Sequence, residues 1–152
     1  MRGKYGIPPQ DILWDPLVFP CASGDRNYMG SAAETIGALS ELKRRWPATR
    51  TVLGISNVSF GVPPAGREVL NAVFLYHCTR AGLDMAIVSS EKVVRYASIP
   101  EEERLLCDNL LYNRGPDPIA AFAAHFRDKK KEVGPARAQL PLDERLARCI
   151  VE

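Results

Sequence analysis

Histidine and paired cysteine are what this sequence has least of. Its 152 residues include two histidines and four cysteines, and Cys21, Cys78, Cys107 and Cys149 are spread along the chain with no C-x-x-C pair. That argues against a zinc site and, at this size, against a disulfide framework; the cysteines read as the reduced thiols of a cytoplasmic protein. An excess of one charge is also missing. Twenty basic and 18 acidic residues leave a net charge of +2, which gives no electrostatic footprint for nucleic acid or an acidic membrane. Long apolar runs are absent as well. The longest, Leu70 to Tyr76, contains Asn71 and stops at His77, whereas a membrane span needs about 20 residues. The start, Met-Arg-Gly-Lys, runs into Pro8-Pro9 without an apolar core, so no signal peptide is expected. No G-x-G-x-x-G or Walker pattern, no Ser-His-Asp order and no clearly spaced carboxylate pair is present.

What remains is an ordinary globular composition, 46% hydrophobic and 25% charged, at a length that implies one domain or a piece of a larger one. Three short apolar runs bounded by turn residues read as buried parallel strands: Ile12–Phe19, Thr51–Val58 and Met85–Ser89. They lack strict alternation, as expected of strands covered on both faces. Helical spacing fills the gaps. Helices are expected over Asn27–Trp46, with a basic C-terminal end, and over Arg67–Ala81, stopped by Gly82. A short helix is expected over Glu91–Tyr96, and another from a Ser98–Glu101 capping box through Tyr112. The last spans Pro116–Lys131, where Lys129-Lys130-Lys131 reads as a solvated helix end.

This is a βα repeat, hence an α/β fold. The strand starts lie roughly 35–40 residues apart, and an eight-unit barrel of about 250 residues spends about 31 per unit. Three strands cannot close a barrel, so the chain reads either as a small open sheet or as the tail of a barrel. Residues 132–141 read as a linker punctuated by Gly134, Pro135 and Pro141. Residues 142–152 begin an amphipathic helix on Leu142, Leu146, Cys149 and Ile150, which is expected to continue into a further domain.

Candidate chemistry falls at strand ends. Asp15 in WDPLVFP precedes a proline, which cannot donate to a ladder. It reads either as part of a functional rim or as the cap of a turn. In GISNVSFGVPPAGR, Ser56, Asn57 and Ser59 follow the second strand, where α/β folds place ligands. Asn57 both donates and accepts; it suits a heterocycle nitrogen whose protonation changes, or it forms a turn. Phe60 sits in the loop and could stack on a ligand, whereas Trp14 and Tyr76 read as core. Arg67 offers a guanidinium fork for a carboxylate or ring carbonyl, or is a surface residue. Ser89 and Ser90 line the mouth or cap a helix. His77 reads as a packed histidine, and His125 has no evident partner.

Taken in order, ILWDPLVFP, LGISNVSFGVPPAGR and AGLDMAIVSS resemble the pterin-binding domain of the cobalamin-dependent methionine synthases. They are similar too to the methyltetrahydrofolate:corrinoid methyltransferases and, more distantly, to dihydropteroate synthases. The resemblance implies a (β/α)8 TIM-type barrel of which residues 1–131 are the C-terminal part, the last three βα units. The first five strands would then be the missing partner of this piece. The LPLDERLARCIVE tail is similar to the start of the helical cap of a cobalamin module. The resemblance further implies that Asp15, Asn57, Ser59, Phe60 and Arg67 contact the pterin, with Asn57 beside N5 as the catalytic group. Family members often carry Asn where this chain has Ser89 or Ser90. The implied reaction is methyl transfer in methionine biosynthesis, from N5 of 5-methyltetrahydrofolate to cob(I)alamin, with cobalamin held by the neighbouring module. The zinc-thiolate site that activates homocysteine in that family has no counterpart here, and the isolated piece is expected to be inactive. A corrinoid methyltransferase, a pterin-condensing synthase and a non-catalytic folate-binding or assembly fragment are the alternatives.

Overall fold

The computed structural model describes residues 2–127 and 129; the linker over 132–141 and the helix over 142–152 expected from sequence lie outside the described residues. Its centre is a three-stranded parallel sheet in the order β1 (Leu13–Trp14), β2 (Arg50–Gly54), β3 (Met85–Ile87). Leu13 pairs with Arg50 and Trp14 with Thr51; Val52, Leu53 and Gly54 pair with Met85, Ala86 and Ile87. Helix α1 is the single turn Arg2–Tyr5, α2 (Ser31–Arg45) crosses from β1 to β2, and α3 (Pro64–Arg80) crosses from β2 to β3. Helices α4 (Glu101–Leu111) and α5 (Pro118–Arg127) pack against α3 and against each other.

All three expected strands are present and parallel, but each is shorter than the apolar run that announced it. β1 stops at Trp14 because Pro16 removes a donor and the Asp15 carboxylate accepts from the Leu17 N–H at 3.0 Å, turning the chain. Asp15 is therefore exposed beyond the strand, not buried within it. β2 ends at Gly54, and Ile55–Ser59 coil into a 3-10 helix. Its apolar side chains, Ile55 and Val58, still enter the core, so an apolar run alone did not distinguish coil from strand.

The helices shift in similar ways. α2 starts at Ser31 after a separate 3-10 turn, Arg26–Tyr28. α3 starts three residues before Arg67, with proline at its first turn, where the missing N–H costs nothing. Glu91–Tyr96 is not an α-helix but two 3-10 turns, Ser90–Lys92 and Tyr96–Ser98. The Ser98 capping box does not form: the Ser98 hydroxyl donates back to Arg95 O at 2.7 Å, and α4 begins after Pro100. α5 covers the inner part of the expected 116–131 helix.

The sheet is covered on one side. Thr51 and Leu53 are fully buried, while Arg50 and Val52, between and beside them, are not. Alternation along the strand and the pairing register place Leu13, Arg50, Val52, Met85 and Ile87 on the opposite face. There Leu13 is 48% and Ile87 67% exposed. β3 is exposed along its whole length, Ala86 included. The core lies between β2 and the helices, built on Leu39, Leu53, Leu70, Phe74, Leu111 and Phe122.

At the N-terminal end of the strands a polar cluster joins α2, β2 and β3. Asp84 accepts from the Thr51 N–H at 2.8 Å and lies 2.5 Å from Lys43 Nζ, which also donates to Thr49 O at 3.0 Å. Burial pushes the Asp84 carboxyl up, but Lys43 and the two Thr51 donors outweigh it and hold it below the ordinary aspartate value. Gly82, at φ +102°, makes the approach possible: a Cβ there would stand 2.7 Å from Lys43 Cγ.

Candidate functional site

Asp15 follows the C-terminal end of β1, and Ser56, Asn57, Ser59 and Phe60 follow that of β2, and the structure ties these two loops together. After β1, Leu17 takes a left-handed conformation at φ +68°, rare for a branched aliphatic residue. Three groups hold this turn. The Asp15 carboxylate accepts from Leu17 N, the Thr35 hydroxyl of α2 reaches Leu17 O at 3.1 Å, and the Asn57 amide donates to Val18 O. The loop then docks on the 3-10 helix after β2, with the Cys21 N–H donating to Val58 O at 3.1 Å. The Cys21 thiol donates to the same oxygen at 3.3 Å.

Asp15 and Asn57 thus flank one backbone segment, and both are exposed. The bond to Val18 uses one N–H of Asn57, leaving its carbonyl oxygen and second N–H for another partner. Asp15 accepts a single backbone N–H through one oxygen, so its second oxygen keeps acceptor capacity. The turn cap is thus what Asp15 is seen to make, and making it leaves one carboxylate oxygen able to accept a further bond.

Ser59 is fully buried and acts differently. Its hydroxyl donates to Ser56 O at 3.1 Å and accepts from Arg67 Nε–H at 3.3 Å, so it positions the arginine. Phe60 is 63% exposed on the loop between β2 and α3. Trp14 is half-buried and stacks on Trp46 with ring centroids 5.5 Å apart. Tyr76 stacks on Tyr96 at 3.7 Å. His77 bonds Asp108 at 2.7 Å across α3 and α4, and His125 lies 3.4 Å from Glu103. Ser89 borders a cavity of about 420 Å³ that also touches Ser56, Arg67, Asn71 and Lys92.

Burial raises the thiols of Cys21 and Cys78 to about 12, the Cys21 hydrogen bond offsetting part of its rise, and pushes Cys107 up further. These three are neutral packing groups at physiological pH. Among the described residues, no cluster of three or more histidine, cysteine, aspartate or glutamate side chains is placed to hold a metal ion. No described helix is long and apolar enough to cross a membrane.

Thr35, Asn71 and Lys92 were not marked as site residues in the sequence. A threonine on a helix gives no sign that its hydroxyl serves a loop 18 positions earlier. Asn71 did leave a signal, as the one polar residue in the Leu70–Tyr76 run.

The sequence of residues 2–89, which carries all three strands and both tied loops, matches the family described as pterin binding enzyme. The chain belongs to the pterin-binding enzymes. Two methionine synthases extend the likeness to its full length. That of Mycobacterium leprae is 43% identical and that of Mycobacterium tuberculosis 42% identical, each over 160 aligned positions. The alignment covers all of this pterin-binding chain but 13% of the length of each relative.

Proposed function

We propose that the chain is the C-terminal part of a pterin-binding (β/α)8 barrel in a cytoplasmic, cobalamin-dependent methionine synthase. It would bind 5-methyltetrahydrofolate and support transfer of the N5 methyl group to cob(I)alamin carried by a neighbouring module. The observation that carries this reading is the bonded pair of strand-end loops. Asp15 and Asn57, just beyond consecutive parallel strands, bond adjacent residues of one loop, Leu17 and Val18, at the end of the sheet where such folds place ligands. Both lie inside the span that matches the family.

The chemistry asked of these residues is modest and specific. A pterin presents a ring N–H and an amino group on one edge, and a carboxylate acceptor such as Asp15 pairs with them through charge-assisted hydrogen bonds. As the N5–methyl bond breaks, its electron pair stays on N5, which is a poor leaving group until it gains a proton or a strong donor. Asn57 can accept from a protonated N5 through its carbonyl oxygen, or donate to the bare amine through its remaining N–H. A group that follows the change in N5 stabilises the transition state more than the ground state. Arg67, held at Nε by Ser59, keeps its terminal nitrogens for a ring carbonyl or carboxylate. Phe60 offers a face to the ring.

The barrel reading also accounts for the sheet. β3 exposed on both faces, and apolar side chains on the uncovered side of the sheet, suit a surface completed by further strands and by a barrel interior. The isolated chain would then not turn over.

The test places this chain in the corresponding segment of the M. tuberculosis relative and assays methyl transfer. Asn57→Ala should lower kcat by about 10²-fold, as loss of one transition-state hydrogen-bonding group does. Asp15→Ala should act mainly on KM. Should the chimera fail to fold, calorimetric titration of the chain with 5-methyltetrahydrofolate gives the same answer through affinity. Activity or affinity unchanged in both variants would contradict the proposal.

A further inference from the structure

Asp15 and Asn57 are fixed relative to each other through three backbone groups in a row: the Leu17 N–H, the Leu17 carbonyl and the Val18 carbonyl. Asp15 holds the first and Asn57 the third, and both side chains are exposed. The second is held from the interior. Thr35, in the second turn of α2, is 5% exposed, and its hydroxyl reaches Leu17 O at 3.1 Å. The same hydroxyl lies 3.0 Å from Ser31 O, the carbonyl one turn back that takes the helical bond from the Thr35 N–H. Leu17 O accepts no other hydrogen bond among the described residues. The single hydroxyl proton therefore satisfies a carbonyl that is otherwise unpaired.

The conformation held in this way is an unfavourable one. Leu17 is left-handed at φ +68°, and its side chain is 56% exposed, so neither glycine nor packing keeps it there. Such a residue persists only where the bonds around it over-determine it. Relaxation to an ordinary φ would turn the Leu17 N–H away from Asp15 and move the Val18 carbonyl against Asn57. The bonds from Asp15 and Asn57 come from groups that a ligand at the strand ends also engages. The bond from Thr35 comes from behind the loop and is independent of any ligand.

We infer that Thr35 is a positioning residue for the strand-end site. It fixes the Leu17 turn, and through the turn the spacing of Asp15 and Asn57, without touching the ligand. The inference rests on the reading above, in which those two residues hold the pterin. Groups fixed before the ligand arrives need no ordering when it binds. Removing the hydroxyl leaves both side chains present but lets their separation vary, so binding and the chemical step weaken together.

The experiment measures kcat and KM for methyl transfer from 5-methyltetrahydrofolate in the chimera described above. Thr35→Val keeps the shape and removes the hydroxyl. It should lower kcat/KM about tenfold, with kcat falling and KM rising. Thr35→Ser, which restores the hydroxyl, should recover most of that loss. In an Asn57→Ala background Thr35→Val should lower kcat no further, because it acts on kcat through Asn57. Asp84→Asn, which weakens the cluster at the opposite end of the sheet, controls for destabilisation and should leave both constants unchanged. Unchanged kinetics in Thr35→Val, with Asp15→Ala and Asn57→Ala impaired, would overturn the inference and leave the pterin reading standing. So would a loss that Thr35→Ser does not recover, or one that adds in full to Asn57→Ala. Unchanged kinetics in Asp15→Ala and Asn57→Ala would overturn both. Should the chimera lack activity, amide hydrogen exchange at Leu17 in the chain itself decides: it should quicken about tenfold in Thr35→Val and not in Thr35→Ser, and an unchanged rate would overturn the inference.

Discussion

Leu17 shows how much of the site is decided by single residues. A left-handed aliphatic residue costs roughly 1–2 kcal/mol, and here it is held by hydrogen bonds at both its N–H and its carbonyl oxygen. Its side chain is 56% exposed, so little packing is lost on removal. Leu17→Gly should therefore change stability by less than about 1 kcal/mol, relief of strain offsetting the entropy of glycine. Leu17→Val, β-branched, should lose more than that. Urea denaturation of the two variants separates them, and equal effects would mean the turn is not strained. Thr35→Val removes a hydroxyl that anchors the same turn. About 1 kcal/mol of stability should go with it, which urea denaturation would read. The positions of Asp15 and Asn57 beyond the strands were legible in the sequence because polar groups at the ends of apolar runs stand out. The supports Thr35 and Ser59 were legible only in part, because the bonds they make depend on how the loops fold back.

At the scale of elements, two close approaches decide how the layers dock. Gly66 of α3 lies against α5, where a Cβ would stand 2.6 Å from Phe122 Cε1. Phe122 is buried and cannot yield. Gly66→Ala should cost about 1–3 kcal/mol through overpacking, and Phe122→Leu added to it should recover part of the loss. A cost unrelieved in the double variant would place the effect in the helix itself. The second approach is the Asp84 cluster. Because its native value lies below the unfolded one, Asp84 contributes stability that is present above the unfolded aspartate value, near pH 4, and lost as pH falls through the native one. The wild-type urea midpoint should drop between about pH 6 and pH 3 more than that of Asp84→Asn. Parallel slopes would show that Lys43 and Thr51 do not stabilise the charged form. Neither contact could be read from local pattern. The Asp84–Thr51 bonds span 33 positions, and Gly66 in GVPPAGR looked like a loop glycine until α3 proved to begin at Pro64. The order of strands and crossover helices was legible, since it follows from which segments are apolar. Strand length was not, since a 3-10 turn with buried Ile55 and Val58 has the same composition as a strand.

At the scale of the whole molecule, the sheet is the feature that separates a complete small fold from part of a barrel. Ile87 lies on the uncovered face at 67% exposure. In the isolated chain Ile87→Lys should alter stability by no more than about 0.5 kcal/mol, as for other surface changes. Within the completed chimera the same lysine would face a barrel interior and should cost about 3 kcal/mol or more. Equal tolerance in both settings would mean that no further strands cover this face. The central claim, that consecutive strand ends hold a pterin between Asp15 and Asn57, is tested most directly by calorimetric titration with 5-methyltetrahydrofolate. The chimera carrying these residues would be compared with its Asp15→Ala and Asn57→Ala variants. The account predicts saturable binding that Asp15→Ala weakens at least tenfold and Asn57→Ala weakens less, since most of the Asn57 effect falls on kcat. Binding of the same strength in all three proteins, or none in a folded chimera, would contradict it.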